Sequence, residues 1–151
     1  MKTIYIDDGS TNVKMLWKND QGDTLTAISP NSFRRGFSAP MGDDPVYNYE
    51  FDGAEYSFSE SSTDSLPTND VSWQYSVQNC IAVQHALIIS GLEPQPVHIV
   101  VTLPLAEFYD NKNQPHMENI NRKKESLLRK INVIGGEGFT IGKVTVSPES
   151  I

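Results

Sequence analysis

The run at residues 97–103 limits the possible folds of this chain more than any other segment. It reads Val-His-Ile-Val-Val-Thr-Leu, follows a linker that contains Pro94 and Pro96, and ends at Pro104. A continuous apolar run of this length is typical of a central strand that is covered on both faces. Because an apolar helical pattern precedes it, the run predicts a mixed α/β fold.

Two helical patterns flank this run. Residues 70–90 carry apolar side chains at spacings of three, four and seven, with Asn69-Asp70 as the expected N-cap and Ser90-Gly91 as the expected stop. A second helix is expected near residue 117. Its apolar side is predicted to consist of Met117, Ile120, Lys124, Leu127, Leu128 and Ile131, and its solvated side of Arg122, Lys123, Arg129 and Lys130.

Short strands are predicted before and after the helices. A three-stranded meander is expected near residues 3, 13 and 24, because alternating apolar residues are separated there by polar turns. Aromatic residues alternate on both sides of Asp52-Gly53, which predicts a tight hairpin inside the Gly- and Pro-rich stretch after the meander. Gly135-Gly136 is predicted to be a turn followed by two further strands, one of them near residue 144.

Composition excludes several classes of protein. The chain has 151 residues, 12 Lys and Arg against 19 Asp and Glu, and a net charge of −7. An acidic chain is expected to bind nucleic acid poorly, because clustered Lys and Arg residues are needed to neutralise the charge of the phosphates. The sequence has no apolar run long enough for a membrane span, no recognisable signal peptide and one cysteine, Cys80. We therefore expect a cytoplasmic protein of one compact unit.

The densest group of chemically useful side chains follows the opening strand. Asp7 could hold hydrated magnesium, Gly9 would permit a close approach of the backbone, Ser10 and Thr11 could surround an anion, and Lys14 supplies a positive charge. These residues together would suit a bound phosphate. Asp-Gly-Ser is also ordinary turn chemistry, so this segment alone leaves a plain hairpin turn open.

Five short segments spread over the chain share their pattern with one known family. They are Ile-Asp-Asp-Gly-Ser-Thr-Asn at 6–12, Ile-Ser-Pro-Asn-Ser-Phe at 28–33, Trp-Gln-Tyr-Ser at 73–76, Thr-Leu-Pro-Leu at 102–105 and Pro-Glu-Ser-Ile at 148–151. In these segments the chain resembles ParM, also called StbA, the actin-like ATPases of plasmid partition. The resemblance implies a ribonuclease H-like α/β fold. Residues 1–33 and 70–151 would form the actin-like subdomain IA, and residues 34–69 an inserted β-rich subdomain IB.

The resemblance also implies a function and a site. Such proteins bind ATP with magnesium and form filaments that push plasmids apart. Carried over to this sequence, the first phosphate loop would consist of Asp7, Asp8, Gly9, Ser10, Thr11 and Lys14. Asp7 would hold Mg²⁺ through water, although the sequence does not separate Asp7 from Asp8. Glu149 would orient or deprotonate the attacking water.

The same resemblance implies partners and an incomplete site. The partners would be other protomers of the filament and an adaptor protein that itself contacts the DNA. The second phosphate loop and the adenosine-binding turn of the family do not occur here, so we expect the N-terminal region of such an ATPase, without hydrolysis by this chain alone. A non-enzymatic module that binds filaments or the adaptor is the alternative, and a half of a sugar or acetate kinase is a lesser one.

The remaining candidates are expected to be structural. His85, His98 and His116 lack the spacing of metal ligands, and Cys80 lies among apolar residues of a helix. The basic side of the second helix is interpreted as a solvated face, with a filament contact as the alternative.

Overall fold

The computed structural model describes residues 1–40, 42–59 and 71–149. The predicted cap at Asn69-Asp70 lies outside these residues. The described strands are β1 (Lys2–Asp8), β2 (Asn12–Lys18), β3 (Thr24–Pro30), β4 (Phe33–Arg35), β5 (Asn48–Phe51), β6 (Ala54–Phe58), β7 (Pro96–Leu103), β8 (Asn132–Ile134) and β9 (Thr140–Pro148). The described helices are α1 (Val77–Ile89), α2 (Leu105–Phe108) and α3 (Met117–Leu127).

The main sheet has five strands in the order β3-β2-β1-β7-β9. The pairs β1–β2 and β2–β3 are antiparallel, which confirms the predicted meander. The pairs β1–β7 and β7–β9 are parallel. A parallel connection needs a crossover, and α1 lies between β3 and β7 in the chain, whereas α2 and α3 lie between β7 and β9. The predicted mixed α/β fold is therefore confirmed.

The two faces of the main sheet differ in burial. Alternate residues of the strands, such as Ile4 and Ile99, are fully buried on the inner face, where α1 and α3 pack. On the outer face Tyr5, Leu16 and Ile28 are 54%, 41% and 62% exposed. In β7 itself, the residues on this outer face, His98, Val100 and Thr102, are half-buried. The prediction that β7 is covered on both faces therefore holds in full only for the inner face, where both long helices lie.

Helix α1 begins later than the sequence predicts. A 3-10 turn, Val71–Tyr75, precedes it, and Ser76 is the N-cap, with Oγ accepting a hydrogen bond from the Asn79 N–H at 3.0 Å. Residues 79–87 are all buried, because α1 contacts the main sheet on one side and aromatic residues of the second sheet on the other.

The second sheet has four antiparallel strands in the order β4-β6-β5-β8. The predicted hairpin is confirmed as β5 and β6, and its two turn residues, Asp52 and Gly53, have φ angles of 51° and 80°. Two consecutive positive φ angles match a type I′ turn, whose twist suits a hairpin. The fourth strand, β8, comes from outside residues 34–69 and places Val133 opposite Tyr49.

Helix α3 turns a different side to the core than predicted. Lys123 and Ser126 are buried together with Ile120 and Leu127. Met117, predicted on the apolar side, is 56% exposed. The assignment of Lys123 to the solvated side is wrong, because a buried carboxylate pairs with its ammonium.

The last part of the chain forms one long strand. The predicted turn is confirmed at Gly135, which has a φ angle of 76°. The two strands expected after it are a single strand, β9, which pairs with β7 along its whole length. Among the described residues no helix has the length and apolar character needed to cross a membrane.

Candidate functional site

Polar side chains collect at the edge of the main sheet where the parallel strands β1, β7 and β9 end. Asp7, Thr102 and Ser147 come from the ends of these strands, and Lys14 of β2 lies opposite Asp7 in the register. All four line one concavity of about 600 Å³, which continues over the outer face of the sheet, where apolar side chains such as Tyr5, Leu16 and Ile28 line it. Ligands of open α/β sheets bind outside the carboxyl ends of the strands, so this edge is the candidate site.

The two neighbouring carboxylates at the end of β1 lie on opposite faces of the sheet. Asp7 is exposed on the outer face, whereas Asp8 is 2% exposed and lies on the inner face with Ile4 and Ile6. Side chains alternate along a strand, and β1 continues through Asp8. Of the two carboxylates, Asp7 is the one that lines the concavity.

Asp8 is held inside the protein by two helices. Its Oδ2 accepts hydrogen bonds from Asn79 Nδ2 of α1, at 2.9 Å, and from the ammonium of Lys123 of α3. Burial lowers the pKa of Lys123, and the charge of Asp8 opposes this effect. This contact joins the end of β1 to both long helices.

The loop after β1 is also held by Asn31, the residue that follows β3. Asn31 Nδ2 donates to the Gly9 carbonyl oxygen at 2.7 Å, and the Asn31 N–H donates to the Thr11 carbonyl oxygen at 2.9 Å. Two carbonyl groups of the loop are therefore fixed by one residue. Together with the contacts of Asp8, these bonds define the conformation of the predicted phosphate loop.

The residues at this edge fit a magnesium–phosphate group. A Cβ atom added to Gly9 would lie 3.9 Å from Asp7 Oδ1 and 3.4 Å from the Asn12 carbonyl oxygen, so a side chain would fill the space beside the Asp7 carboxylate. Ser10 and Thr11 are exposed next to this space. Within the described part of the chain, Asp7 and Lys14 form no ion pair with each other. Their opposite charges suit a metal ion and a phosphate respectively.

Glu149 lies at the same edge of the sheet but outside the concavity. It directly follows β9, its N–H donates to the Leu103 carbonyl oxygen at 2.8 Å, and its side chain is exposed. It does not line the space that Asp7 and Lys14 share. Across residues 1–40, 42–59 and 71–149, no three His, Cys, Asp or Glu side chains are grouped closely enough to hold a metal ion.

Sequence reasoning missed four residues of this region. They are Asn31, Thr102, Lys123 and Ser147. A signal for Thr102 and Ser147 was present, since each is a hydroxyl residue near the end of a predicted strand, two residues and one residue before a proline respectively. No local signal distinguishes Lys123 from Lys124, and none connects Asn31 with a loop 20 residues earlier.

The other candidates are structural, as expected. His85 is buried against aromatic rings, His98 contacts the Thr3 and Thr145 hydroxyls, and His116 caps α3 by accepting from the Asn119 N–H. Burial raises the pKa of the Cys80 thiol to about 12. A thiol of this kind is a poor nucleophile at neutral pH.

Comparisons with known proteins agree with the architecture. The family described as plasmid segregation protein ParM, N-terminal, matches residues 1–151. None of the curated proteins matches the chain. The AlfA filament from B. subtilis plasmid pLS32 has a TM-score of 0.67 at 16% identity, over 99% of this chain and 56% of that chain.

Two further solved structures are similar. Bacillus thuringiensis ParM in apo form has a TM-score of 0.66 at 14% identity, over 99% of this chain and 46% of that chain. Ta0583, an archaeal actin homolog in complex with ADP, has a TM-score of 0.59 at 18% identity, over 98% of this chain and 44% of that chain. This chain therefore spans about half the length of these proteins.

At these identities the solved structures establish the fold, which is that of actin-like ATPases. The family match adds the identity, because it extends over the whole sequence. The chain belongs to the family of plasmid segregation protein ParM, as its N-terminal region.

Proposed function

We propose that this chain is the phosphate-binding N-terminal part of a ParM-like ATPase whose filaments segregate plasmid DNA. The observation that carries the proposal is that Asp7 and Lys14 lie opposite each other on neighbouring strands and line one concavity at the carboxyl edge of the main sheet. Family membership supports it. Similar structures include Bacillus thuringiensis ParM with ATP and an AlfA filament bound to AMPPNP.

Each residue of the loop has a chemical task in this proposal. The Lys14 ammonium neutralises a phosphate oxygen, the Asp7 carboxylate holds a water of Mg²⁺, and Gly9 leaves the phosphates room to approach. The hydroxyls of Ser10 and Thr11 donate hydrogen bonds to phosphate oxygens. Mg²⁺, when bound, offsets the negative charge of the triphosphate.

The completed protein would perform the chemistry. Glu149 would orient the attacking water, which is a large part of what a protein contributes to phosphoryl transfer. Because the chain spans about half of the similar structures, we propose weak nucleotide binding and no hydrolysis by this chain alone. We also propose a cytoplasmic location, self-assembly and a separate DNA-binding adaptor, since a net charge of −7 disfavours direct contact with DNA.

A nuclear magnetic resonance titration tests the proposal. Mg·ATP added to the ¹⁵N-labelled chain should shift the amide signals of residues 7–14 in a saturable way. Lys14→Met should weaken this binding about tenfold, because one charge-assisted hydrogen bond is lost. Asp7→Asn should reduce the dependence of binding on Mg²⁺.

Lys18→Met is the matched control. Lys18 is exposed on the same face of β2 as Lys14, but it lies four residues further along the strand, away from the loop. Its substitution should leave the affinity unchanged. Absence of saturable shifts, or equal losses in the two lysine variants, would contradict the proposed phosphate site.

The non-enzymatic alternative draws on one observation, the exposed apolar side chains Tyr5, Leu16 and Ile28 on the outer face of the main sheet. Exposed apolar surface of this kind often marks an interaction site. Sedimentation together with filaments of a full-length ParM protein tests it. A chain that stays in the supernatant in the presence of ATP would exclude this alternative.

A further inference from the structure

Lys123 is the centre of a buried polar cluster behind the candidate site. Its side chain is 0% exposed. The ammonium donates to Asp8 Oδ2, to the Gln74 carbonyl oxygen at 2.7 Å, to Gln74 Oε1 at 3.2 Å and to Asn79 Oδ1 at 3.2 Å. The cluster therefore joins β1, the 3-10 turn, α1 and α3 at one point.

This cluster is poorly explained by stability alone. Burial of a lysine and a carboxylate carries a large desolvation cost, and well-packed apolar residues often stabilise a core as much or more. Asp8 Oδ1 has no hydrogen-bond partner among the described residues, so the pair is not fully satisfied. The best supported use of such a pair is to fix one arrangement of the chain against others.

The cluster can fix which of the two carboxylates, Asp7 or Asp8, faces the concavity. Asp7 and Asp8 are consecutive residues of a strand, so a shift of one residue would exchange their faces. Asp8 is also bonded directly to Gly9, whose carbonyl oxygen Asn31 holds in place. The side-chain contacts of Asp8 and the two hydrogen bonds of Asn31 therefore fix the loop at residues 8, 9 and 11.

We propose that Lys123 is a positioning residue of the phosphate site: by holding Asp8 inside, it keeps Asp7 turned to the ligand and couples helix α3 to the loop. This inference rests on the proposed function, because it concerns the same site. Lys123 touches Asp8 and not the concavity, so its effect on a ligand passes through the carboxylate and the loop.

The test compares two neighbouring lysines of α3 in the whole chain. Lys123→Met removes the buried ammonium, whereas Lys124→Met removes a half-exposed one and is the matched control. With Mg·ATP as the probe, Lys123→Met should weaken binding about tenfold or more and reduce its dependence on Mg²⁺, because Asp8 is then no longer held inside and Asp7 is no longer kept turned to the ligand. Lys124→Met should bind like the original protein.

A double variant separates positioning from simple damage. Asp8→Asn with Lys123→Met leaves neither an unpaired charge nor the contact that holds residue 8 inside, so binding should stay about tenfold weaker than in the original protein. A return to the original affinity would show that the unpaired charge alone caused the loss, and would overturn the proposal. Urea unfolding of each variant shows at which conditions it is folded, and affinities are compared there. Unchanged affinity of a folded Lys123→Met protein would overturn the proposal.

Two further measurements keep the test decisive. If Lys123→Met does not fold, Asp8→Asn alone replaces it, and unchanged Mg·ATP affinity of that variant would overturn the proposal. Without nucleotide, the amide signals of Asp7 and Gly9 should move in Lys123→Met and not in Lys124→Met. If these signals move but neither the original protein nor any variant binds Mg·ATP, the proposed function fails while the positioning of the loop stands. If the signals do not move, the positioning role of Lys123 fails.

Discussion

At the residue scale, burial changes the chemistry of the His85 side chain. Its ring is 0% exposed, stacks on Phe58 with 4.2 Å between centroids, and shares a hydrogen bond with Tyr49 Oη through Nδ1 at 2.6 Å. Burial lowers the pKa of His85 to about 4. In an unfolded chain a histidine ionises near pH 6.5. The unfolded state therefore takes up this proton first as the pH falls.

We predict that the free energy of unfolding decreases between about pH 6.5 and about pH 4 by about 3 kcal/mol on account of His85, with no further contribution at lower pH. Urea unfolding at several pH values, in the original protein and in His85→Phe, measures this contribution. Asp44, which lines the same cavity as His85, is retained in both proteins, so the difference in slope reports on His85. Equal slopes would contradict the prediction.

The residue scale also shows what the sequence reveals about the site. Asp7 and Lys14 could be found because they flank one turn in the sequence. The separation of Asp7 from Asp8 came only from the structure, because the sequence does not show that β1 continues through Asp8 and so places it on the face of Ile4 and Ile6. The contact of Asp8 with Lys123 spans 115 residues, and local patterns carry no information about it.

At the element scale, the start of α1 depends on one side chain. Ser76 Oγ accepts from the Asn79 N–H at 3.0 Å and so caps the first turn. Ser76→Ala removes this acceptor, and we predict a loss of about 1 kcal/mol in the free energy of unfolding. Urea denaturation followed by circular dichroism measures it.

Asn69→Ala is the control for this prediction, because the sequence pattern favours Asn69-Asp70 as the cap. With α1 beginning at Val77, the control should change the free energy of unfolding by less than about 0.5 kcal/mol. A larger loss in Asn69→Ala than in Ser76→Ala would mean that the helix begins at the earlier position.

Elements were predictable where their signals are local. The meander, the Asp52-Gly53 hairpin and the turn at Gly135 follow from alternation and turn chemistry, and all are confirmed. The start of α1 and the buried side of α3 were not predictable, because both depend on tertiary contacts. In the sequence pattern of α3, Lys123 and Lys124 are almost equally suited to lie on the buried side. The position of Asp8 decides that Lys123 is the buried one.

At the scale of the whole molecule, the two sheets share one core. The main buried cluster contains Phe33, Tyr49 and Tyr56 of the second sheet together with residues of the main sheet and α1. Strand β8 follows α3 in the chain, yet it pairs with β5 of the second sheet. Backbone pairing and packing therefore both cross the proposed boundary of residues 34–69.

We predict that the two sheets unfold in a single cooperative transition. In a urea titration followed by amide signals, residues of β5 and β6 should lose their native signals at the same midpoint as residues of β1 and β7, since a shared core makes separate unfolding costly. Phe33→Ala should lower the free energy of unfolding by about 3–5 kcal/mol and move both sets of signals together. Two separated midpoints, with the main sheet intact after the second sheet has melted, would show instead that residues 34–69 are an independently folded unit.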